Sequence, residues 1–336
     1  MPVEEQLLPS PKLKPIYDDI VWLHVYNDFK EGDADRAATR IRIRFSVSSW
    51  PQLLLVDPYT LEVVGETGRQ VDGFLKAVAD VKIQKPKYAK ADELMKKLKE
   101  AEELAAELET KPNAKLVKKA LESDDVVVRY RAAEYLSKED PDELAKRAPE
   151  LLKTPNDLLR YAVCQAIAKA GEKVTFTEDL VTALEDIARD PKDSRNPNVM
   201  RINAVQALAR CGDAGSLEVI KPFAQGAANN GLTGISVDAI GEIGARSKEA
   251  KAPAAQILLE CFPESTGGNK DAKSIEWYSK MAGRIAEKAH KHLQDLTGKK
   301  PEFPKTYNEE TRAELKKAFE EEVAKLVKKA EKKKQR

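Results

Sequence analysis

The stretch DVVVRYRAAEYL, residues 125–136, decides the fold because related patterns recur downstream. Counted from Arg129, the apolar residues Ala132, Ala133 and Leu136 stand at offsets of 3, 4 and 7. Side chains at these offsets lie along one stripe of a helix, so the stretch is predicted to form an amphipathic helix. Its small central residues allow a neighbouring helix to approach closely.

The same pattern recurs further along the chain. The three offsets again lead to apolar residues when they are counted from Arg160, Arg201, Ser236 and, with a weaker match, Tyr278. The reference positions 129, 160, 201 and 236 are 31, 41 and 35 residues apart, which is the spacing of helical-hairpin repeats. Such hairpins stack because none of them buries its apolar face alone. We therefore expect a mainly α fold class, an α-solenoid of helical hairpins.

The composition is typical of exposed helices over an aliphatic core. The 336 residues are 34% charged and 6% aromatic, and the formal net charge is +1. A nearly neutral chain has no global field for phosphate or anionic lipid, so nucleic acid is disfavoured as a partner. No apolar run is long enough to span a bilayer. The N-terminal stretch MPVEEQLLPSPKLKP lacks the apolar segment of a secretory signal. A cytoplasmic location is favoured for the chain as given, and export stays open if a signal was removed before residue 1.

The first third of the chain has a different character. Val21, Leu23 and Val25 alternate with Trp22, His24 and Tyr26, which predicts a strand with two unlike faces. Residues 34–45 fit both a strand, through alternating arginines, and a helix, through one apolar stripe. Short strands are predicted at 53–56 and 61–64, followed by a helix over 71–81 with Phe74, Leu75 and Val78 facing inward.

This order resembles the C-terminal half of a thioredoxin-like domain, on the segments VWLHVYND, VSSWPQLLLVDP, LEVVGETG and VDGFLKAV. The resemblance favours a helix over 34–45. It also implies that Pro51 is cis and that the backbone of Trp50 faces a bound peptide. The C-x-x-C motif of that family is absent, and no cysteine precedes Cys164, so thiol–disulfide exchange lacks its nucleophile.

We accordingly place a candidate peptide contact at Trp50, Pro51, Trp22 and His24, where an extended partner would pair with an edge strand near 20–26. The alternative is that the helices of the solenoid cover this edge and that Trp50 belongs to the core.

A Lys-, Glu- and Ala-rich stretch over 82–112 predicts an amphipathic helix that either bridges two domains or caps the first repeat, with capping favoured. Lys85-Pro86 marks the boundary before it. The expected domains are a partial thioredoxin-like α/β domain (1–83), this linker or capping helix (84–112), the solenoid (113–300) and a C-terminal helix with a basic tail (301–336).

The C-terminal helix is predicted to begin near Asn308. Its basic end, KKAEKKKQR, is interpreted as a solvated, frayed end rather than a nucleic-acid or lipid contact.

The repeats resemble the HEAT family, whose second helix carries D-x-x-V-R-x-x-A. Residues 125–132 match with DVVVRYRA, and NDLLRYAV and PNVMRINA follow it with Asn156 and Pro197 at the aspartate position. The tryptophan, glycine and tyrosine pattern of TPR repeats is absent. The resemblance implies that the aspartate and the arginines tie neighbouring repeats together. We assign these residues a structural role first and ligand contact second: Asp125, Arg129, Arg160 and Arg201.

Motifs for catalysis, cofactors or metals are scarce. There is no phosphate-binding glycine loop and no H-E-x-x-H. His290 and His292 point about 200° apart on a helix and cannot bind one ion together. The cysteines, Cys164, Cys211 and Cys261, are far apart and are expected to be reduced and buried. We expect no cofactor and no catalytic or metal-binding residue.

The sequence thus predicts a non-catalytic scaffold that binds a protein or peptide partner through the solenoid surface. Two alternatives stay open. One is a thioredoxin-like redox protein whose C-x-x-C half is missing from this chain, and the other is a nucleic-acid-binding HEAT-repeat protein.

Overall fold

The computed structural model describes residues 7–25, 32–48, 52–68, 70–81, 88–228, 230–267 and 271–334. The fold is mainly α, as predicted. The chain divides into two compact units, residues 1–135 and 136–336, which we call unit 1 and unit 2. No helix in the described part of the chain combines the length and apolar character that a membrane crossing requires.

Unit 1 begins with a small α/β segment. Its elements are a 3-10 helix (Pro11–Asp19), α1 (Asp33–Arg44), β1 (Leu53–Val56), β2 (Val63–Thr67) and α2 (Val71–Asp80). The helical interpretation of 34–45 is confirmed by α1, and the predicted helix over 71–81 is confirmed by α2. Phe74 of α2 is buried with Leu7 and Leu13, and Leu75 and Val78 pack against this small core.

The strand predicted at 21–26 is wrong for the residues described there, because 21–25 have no strand structure. Among the described residues, the sheet consists of β1 and β2, paired antiparallel. The segment 21–25 therefore has no neighbouring strand to supply its hydrogen bonds. Its alternation instead separates Trp22, which packs on the core, from Val21 and Leu23, which are 95% and 69% exposed.

The strand predicted at 61–64 begins two residues late, at Val63. A turn precedes it, in which Asp57 Oδ1 accepts a hydrogen bond from the backbone N–H of Tyr59 at 2.7 Å. Leu61 has a φ of 59°, which lies in the left-handed region and cannot continue a strand. The turn therefore extends into the predicted strand.

Three further helices follow in unit 1: α3 (Tyr88–Thr110), α4 (Ala114–Leu121) and α5 (Val126–Glu139). The last four residues of α5 belong to unit 2. Arg40 and Arg44 are four residues apart, so the helix places them on one face of α1. A strand would also place them on one face, and both therefore fit the sequence pattern. Arg40 pairs with Glu102 and Glu109 of α3, each at 2.7 Å, and Arg44 pairs with Glu102 at 3.1 Å.

The same helix α3 also pairs with α5. Arg131 of α5 contacts Glu109 at 2.8 Å, so within unit 1 α3 connects the N-terminal segment to the first repeat. The capping role of α3 and the four domain boundaries remain predictions, and Lys85 and Pro86 lie outside the described residues.

Unit 2 is built from helical hairpins. Its helices are α6 (Pro141–Leu152), α7 (Asp157–Ala168), α8 (Glu178–Arg189), α9 (Pro197–Cys211), α10 (Ser216–Ala224), α11 (Gly231–Arg246), α12 (Lys248–Glu260), α13 (Ala272–Thr297) and α14 (Glu309–Lys334). Consecutive helices pair as α6/α7, α8/α9, α10/α11 and α12/α13. The predicted second helices at 156–167 and 197–208 are confirmed as α7 and α9.

The hairpins stack in two layers. The first helices α6, α8, α10 and α12 contact one another in succession, as do the second helices α7, α9, α11 and α13. The small and aliphatic residues of the repeat pattern lie at these contacts: Val163, Cys164, Ala204, Val205, Ala239 and Ile240 are fully buried. Helix α14 packs on α12 and α13 through buried Leu315, Phe319 and Val323, and so covers the last hairpin.

Candidate functional site

The second helices of unit 2 begin at side-chain caps. Each cap accepts a hydrogen bond from a backbone N–H in the first turn, which satisfies one of the free donors of a helix start. The cap residues and their distances are Asn156 at 3.0 Å, Asn196 at 3.4 Å, Asn230 at 3.0 Å and Asp271 at 2.9 Å. These caps set where each second helix starts and therefore bring the same turns side by side.

The repeat arginines bind backbone carbonyl groups. Arg160 is buried and donates to Leu152 O at 3.0 Å and to Lys192 O at 2.8 Å. Arg201 donates to Ala188 O at 3.3 Å and to Arg189 O at 3.4 Å. Helix C-termini carry unsatisfied carbonyls and negative partial charge, which suit a guanidinium. These side chains are occupied in joining helices and are poor candidates for ligand contact.

The first repeat differs. Asp125 caps α5, with Oδ1 accepting from Val127 N at 2.9 Å, and its other carboxylate oxygen pairs with Arg44. Arg129 is half-buried in α5. Arg131, two positions later, forms the ion pair with α3 described above.

Two arginines that the repeat alignment missed join successive second helices. Arg210, at the end of α9, donates to Ala170 O at 2.9 Å and Gly171 O at 2.6 Å. Arg246, at the end of α11, donates to Ala209 O at 2.6 Å and Gly212 O at 2.9 Å. The sequence contains a signal for Arg210, because Arg210 follows Arg201 by nine residues and Lys138 and Lys169 follow Arg129 and Arg160 by nine. Arg246 follows Ser236 by ten residues and departs from this offset.

A shallow, open depression of about 510 Å³ lies across α7, α9 and α11. Its polar lining comes from Gln165 on α7, Lys169 directly after α7, Gln206 on α9, and Asp238 and Glu242 on α11. The side-chain amides and carboxylates offer both hydrogen-bond donors and acceptors. This is the candidate site, and we call it the second-helix depression.

Asp238 anchors one edge of the depression. Its carboxylate accepts hydrogen bonds from Lys288 and, at 3.3 Å, from His292, both on α13. Burial acts to raise the pKa of Asp238, but the hydrogen bonds from His292 and Lys288 outweigh it, so the pKa lies below its usual value. The aspartate is therefore a charged, fixed element of the surface.

The histidines are separated, as predicted. His290 Nε2 lies 2.9 Å from Pro301 O, and its ring packs edge-on against Phe303 and Phe319. Burial lowers the pKa of His290, whereas His292 faces Asp238. Among the described residues, no group of three or more His, Cys, Asp or Glu side chains is arranged to hold a metal ion.

The cysteines are free thiols, with Cys164 and Cys261 buried. Burial raises the pKa of Cys164, and it raises the pKa of Cys211 and Cys261 to about 12. Thiols with such pKa values hold little thiolate at neutral pH and are weak nucleophiles.

The candidate peptide contact in unit 1 is only partly described. Trp50 and Pro51 lie outside the described residues. Trp22 stacks on Phe74 with ring centroids 5.5 Å apart and meets Tyr17 edge-on at 5.6 Å, so it serves the small core. His24 is exposed, although the alternation predicts that it faces the same side as Trp22. A role for these four residues in partner binding stays a prediction. Pairing of a partner with an edge strand at 21–25 is not supported, because these residues form no strand.

Comparison with known proteins gives one match. The model of the family described as HEAT repeats matches residues 113–196, which contain α4 to α8. No curated protein and no solved structure matches the chain. The family match and the stacked helical hairpins together support a HEAT-like helical repeat protein.

Proposed function

We propose that this chain is a non-catalytic scaffold that binds a protein partner across the second helices of unit 2. The observation that carries the proposal is the second-helix depression, which spans three successive repeats. A small-molecule site is usually enclosed and mostly apolar. This surface is open, mixes polar side chains with apolar ones such as Ile235, and extends along the stack, which suits a polypeptide segment.

The side chains that line the depression indicate which kind of partner segment fits it. Gln165 and Gln206, on neighbouring helices, present amides that can pair with the backbone of a peptide. Exposed Glu242 places negative charge on the α11 side, where the charge of Asp238 is already paired with Lys288, and Lys169 places positive charge on the α7 side. The complementary partner is a polar segment with a basic side chain near α11 and an acidic one near α7.

The non-catalytic part of the proposal has two supports. The thiols are protonated at neutral pH, and the carboxylate of Asp238 is held by hydrogen bonds from Lys288 and His292 rather than poised to move a proton. The thioredoxin-like identity of residues 10–83, and peptide binding there, remain a secondary element of the proposal. Exposed Val21 and Leu23 are the features of the described residues that favour it.

The proposal is tested by placing a photo-crosslinking amino acid at Gln206 and, separately, at Thr182. Both positions are exposed and lie in the same hairpin, but Gln206 is on a second helix and Thr182 on a first helix. We expect irradiation in native cell extract to give a discrete protein adduct from position 206 and none from 182. Equal adducts from both positions, or none from 206, would contradict the proposal.

A further inference from the structure

Five lysines form a stripe on the C-terminal half of α14. Lys325, Lys328, Lys329, Lys332 and Lys333 line a shallow depression of about 420 Å³. Relative to Lys325 they stand at offsets of 3, 4, 7 and 8, which share one face of a helix. We call this set the lysine stripe. The sequence suggested a frayed end here, but the helix continues to Lys334 and holds the charges side by side.

Most of these charges are not neutralised locally. Lys325 pairs with Glu321 at 2.8 Å and Glu322 at 3.0 Å. Across the described ranges of the chain, none of the other four lysines has a carboxylate within 4.0 Å. The whole stripe thus extends along roughly 12 Å of helix, and the four lysines without a local carboxylate occupy about 7.5 Å of it, at about 1.5 Å per residue.

A purely structural role does not explain the stripe. Like charges three and four residues apart destabilise a helix by about 0.2–0.5 kcal/mol per pair. Lysines do favour the negative end of the helix dipole, but that effect is confined to the last turn. Lys325 is explained by its ion pairs with Glu321 and Glu322. Lys328 and Lys329 precede the last turn and have no local carboxylate, so neither effect explains their positions.

We propose that the lysine stripe binds the phosphate backbone of a nucleic acid without reading its sequence. Along about 12 Å, one strand of a duplex presents three to four phosphates, since they are spaced about 3.4 Å apart along the axis. The full stripe, from Lys325 to Lys333, can therefore face three to four phosphates, which is close to its number of lysines without a local carboxylate. Lysine contacts phosphate as a point charge, and the aromatic residue of α14, Phe319, is buried, so this helix offers no ring for base stacking.

A membrane surface fits the stripe less well. Stable attachment to a bilayer usually needs a second signal besides basic charge. On α14, Phe319 and Val323 are buried in unit 2, and Leu326 and Val327 beside the stripe are half-buried, so the described part of this helix exposes no large apolar side chain to supply it. The net charge of +1 does not oppose phosphate binding, because salt screens charges beyond about 8–10 Å and leaves the stripe to act locally.

The test measures binding of a short fluorescein-labelled DNA duplex to the full chain by fluorescence anisotropy over a salt series. Four phosphate contacts predict a log–log salt slope of about −3.6, so that the affinity falls about 150-fold between about 50 and about 200 mM salt. The triple variant K328Q/K329Q/K332Q removes three of the four contacts. Its slope should be about −0.9, with a loss of only about 3–4-fold over the same range.

The matched control is K115Q/K118Q/K119Q, which removes three exposed lysines from α4 and gives the same total charge. The control should bind as the unmodified chain does. Equal weakening by both variants would show a general charge effect and overturn the proposal. So would binding to phosphatidylserine-containing vesicles without binding to the duplex, or no measurable duplex binding at low salt.

Discussion

The close approach of α11 and α13 gives a sharp test of the stacked second helices. A Cβ placed on Gly241 of α11 would lie 2.1 Å from Cγ and 2.2 Å from Nδ1 of His292 on α13. The ring is packed and hydrogen-bonded to Asp238, so it cannot simply rotate away. We expect Gly241→Ala to cost about 1–3 kcal/mol through overpacking.

Alanine also favours a helix over glycine by about 1 kcal/mol, which would mask part of that cost. Gly234→Ala is the matched control, because Gly234 lies in the same helix and its new Cβ would meet its nearest neighbour at 3.9 Å. Both substitutions gain the same helix propensity. The difference between the two variants, measured as the free energy of unfolding in urea, therefore isolates the overpacking term of about 1–3 kcal/mol.

A double-mutant cycle identifies the partner in the clash. In the background of His292→Ala the ring is gone, so Gly241→Ala should become neutral or stabilising, with a coupling energy of about 1–3 kcal/mol. Equal stabilities of the Gly241→Ala and Gly234→Ala variants, together with a coupling energy near zero, would refute the packing of α11 against α13.

Two further predictions concern unit 2. Arg160→Met should lower the free energy of unfolding by about 2–4 kcal/mol, because it leaves two carbonyl groups without their charged donor. Arg189→Met, at a side chain that is 53% exposed, should change it by less than about 0.5 kcal/mol, and equal urea midpoints would contradict the assigned role of Arg160. The pKa of His290 is held below the unfolded value of 6.5 by burial, so the unfolded chain takes up the proton first. The contribution of His290 to the free energy of unfolding should therefore be fully present above pH 6.5 and be lost as the pH falls below it. His290→Phe should remove this part of the pH dependence. An identical slope of unfolding free energy against pH in both proteins would count against it.

The helices of the solenoid were predictable because their information is local. The offsets of 3, 4 and 7 from Arg160 and Arg201 report one buried helix stripe, and the caps Asn156 and Asn196 mark where each stripe begins. The wrong strand prediction at 21–25 also has a physical reason. Alternation in sequence reports two unlike faces, but a strand also needs a partner strand, and the sequence alone does not show whether one is adjacent.

The candidate site was harder to predict than the fold. The second-helix depression combines Gln165, Gln206 and Glu242 from three helices, and no spacing in the sequence marks them as neighbours. Asp238 finds its partners fifty or more residues away on α13. Arg210 and Arg246 bond to main-chain carbonyls, which every residue possesses, so the identity of their targets leaves no residue signature.

The second helix of a hairpin can bond to neighbouring backbone even where the repeat arginine is replaced. In α7 and α9 an arginine fork ties the second helix to the end of the first helix. Ser236 replaces the arginine in α11, where the hydroxyl of Thr233 instead donates to Ala227 O, beyond the end of α10, at 2.9 Å. In α13 the hydroxyl of Tyr278 accepts from Ala228 N at 3.1 Å, so this copy bonds to the loop between α10 and α11 of the preceding hairpin and not to the end of α12. The unsatisfied groups at a helix end must find a partner in every hairpin, but any donor or acceptor of suitable reach can provide it. Hairpins beyond residue 196 therefore keep the stacked geometry while their residue pattern departs from that of the matched repeats.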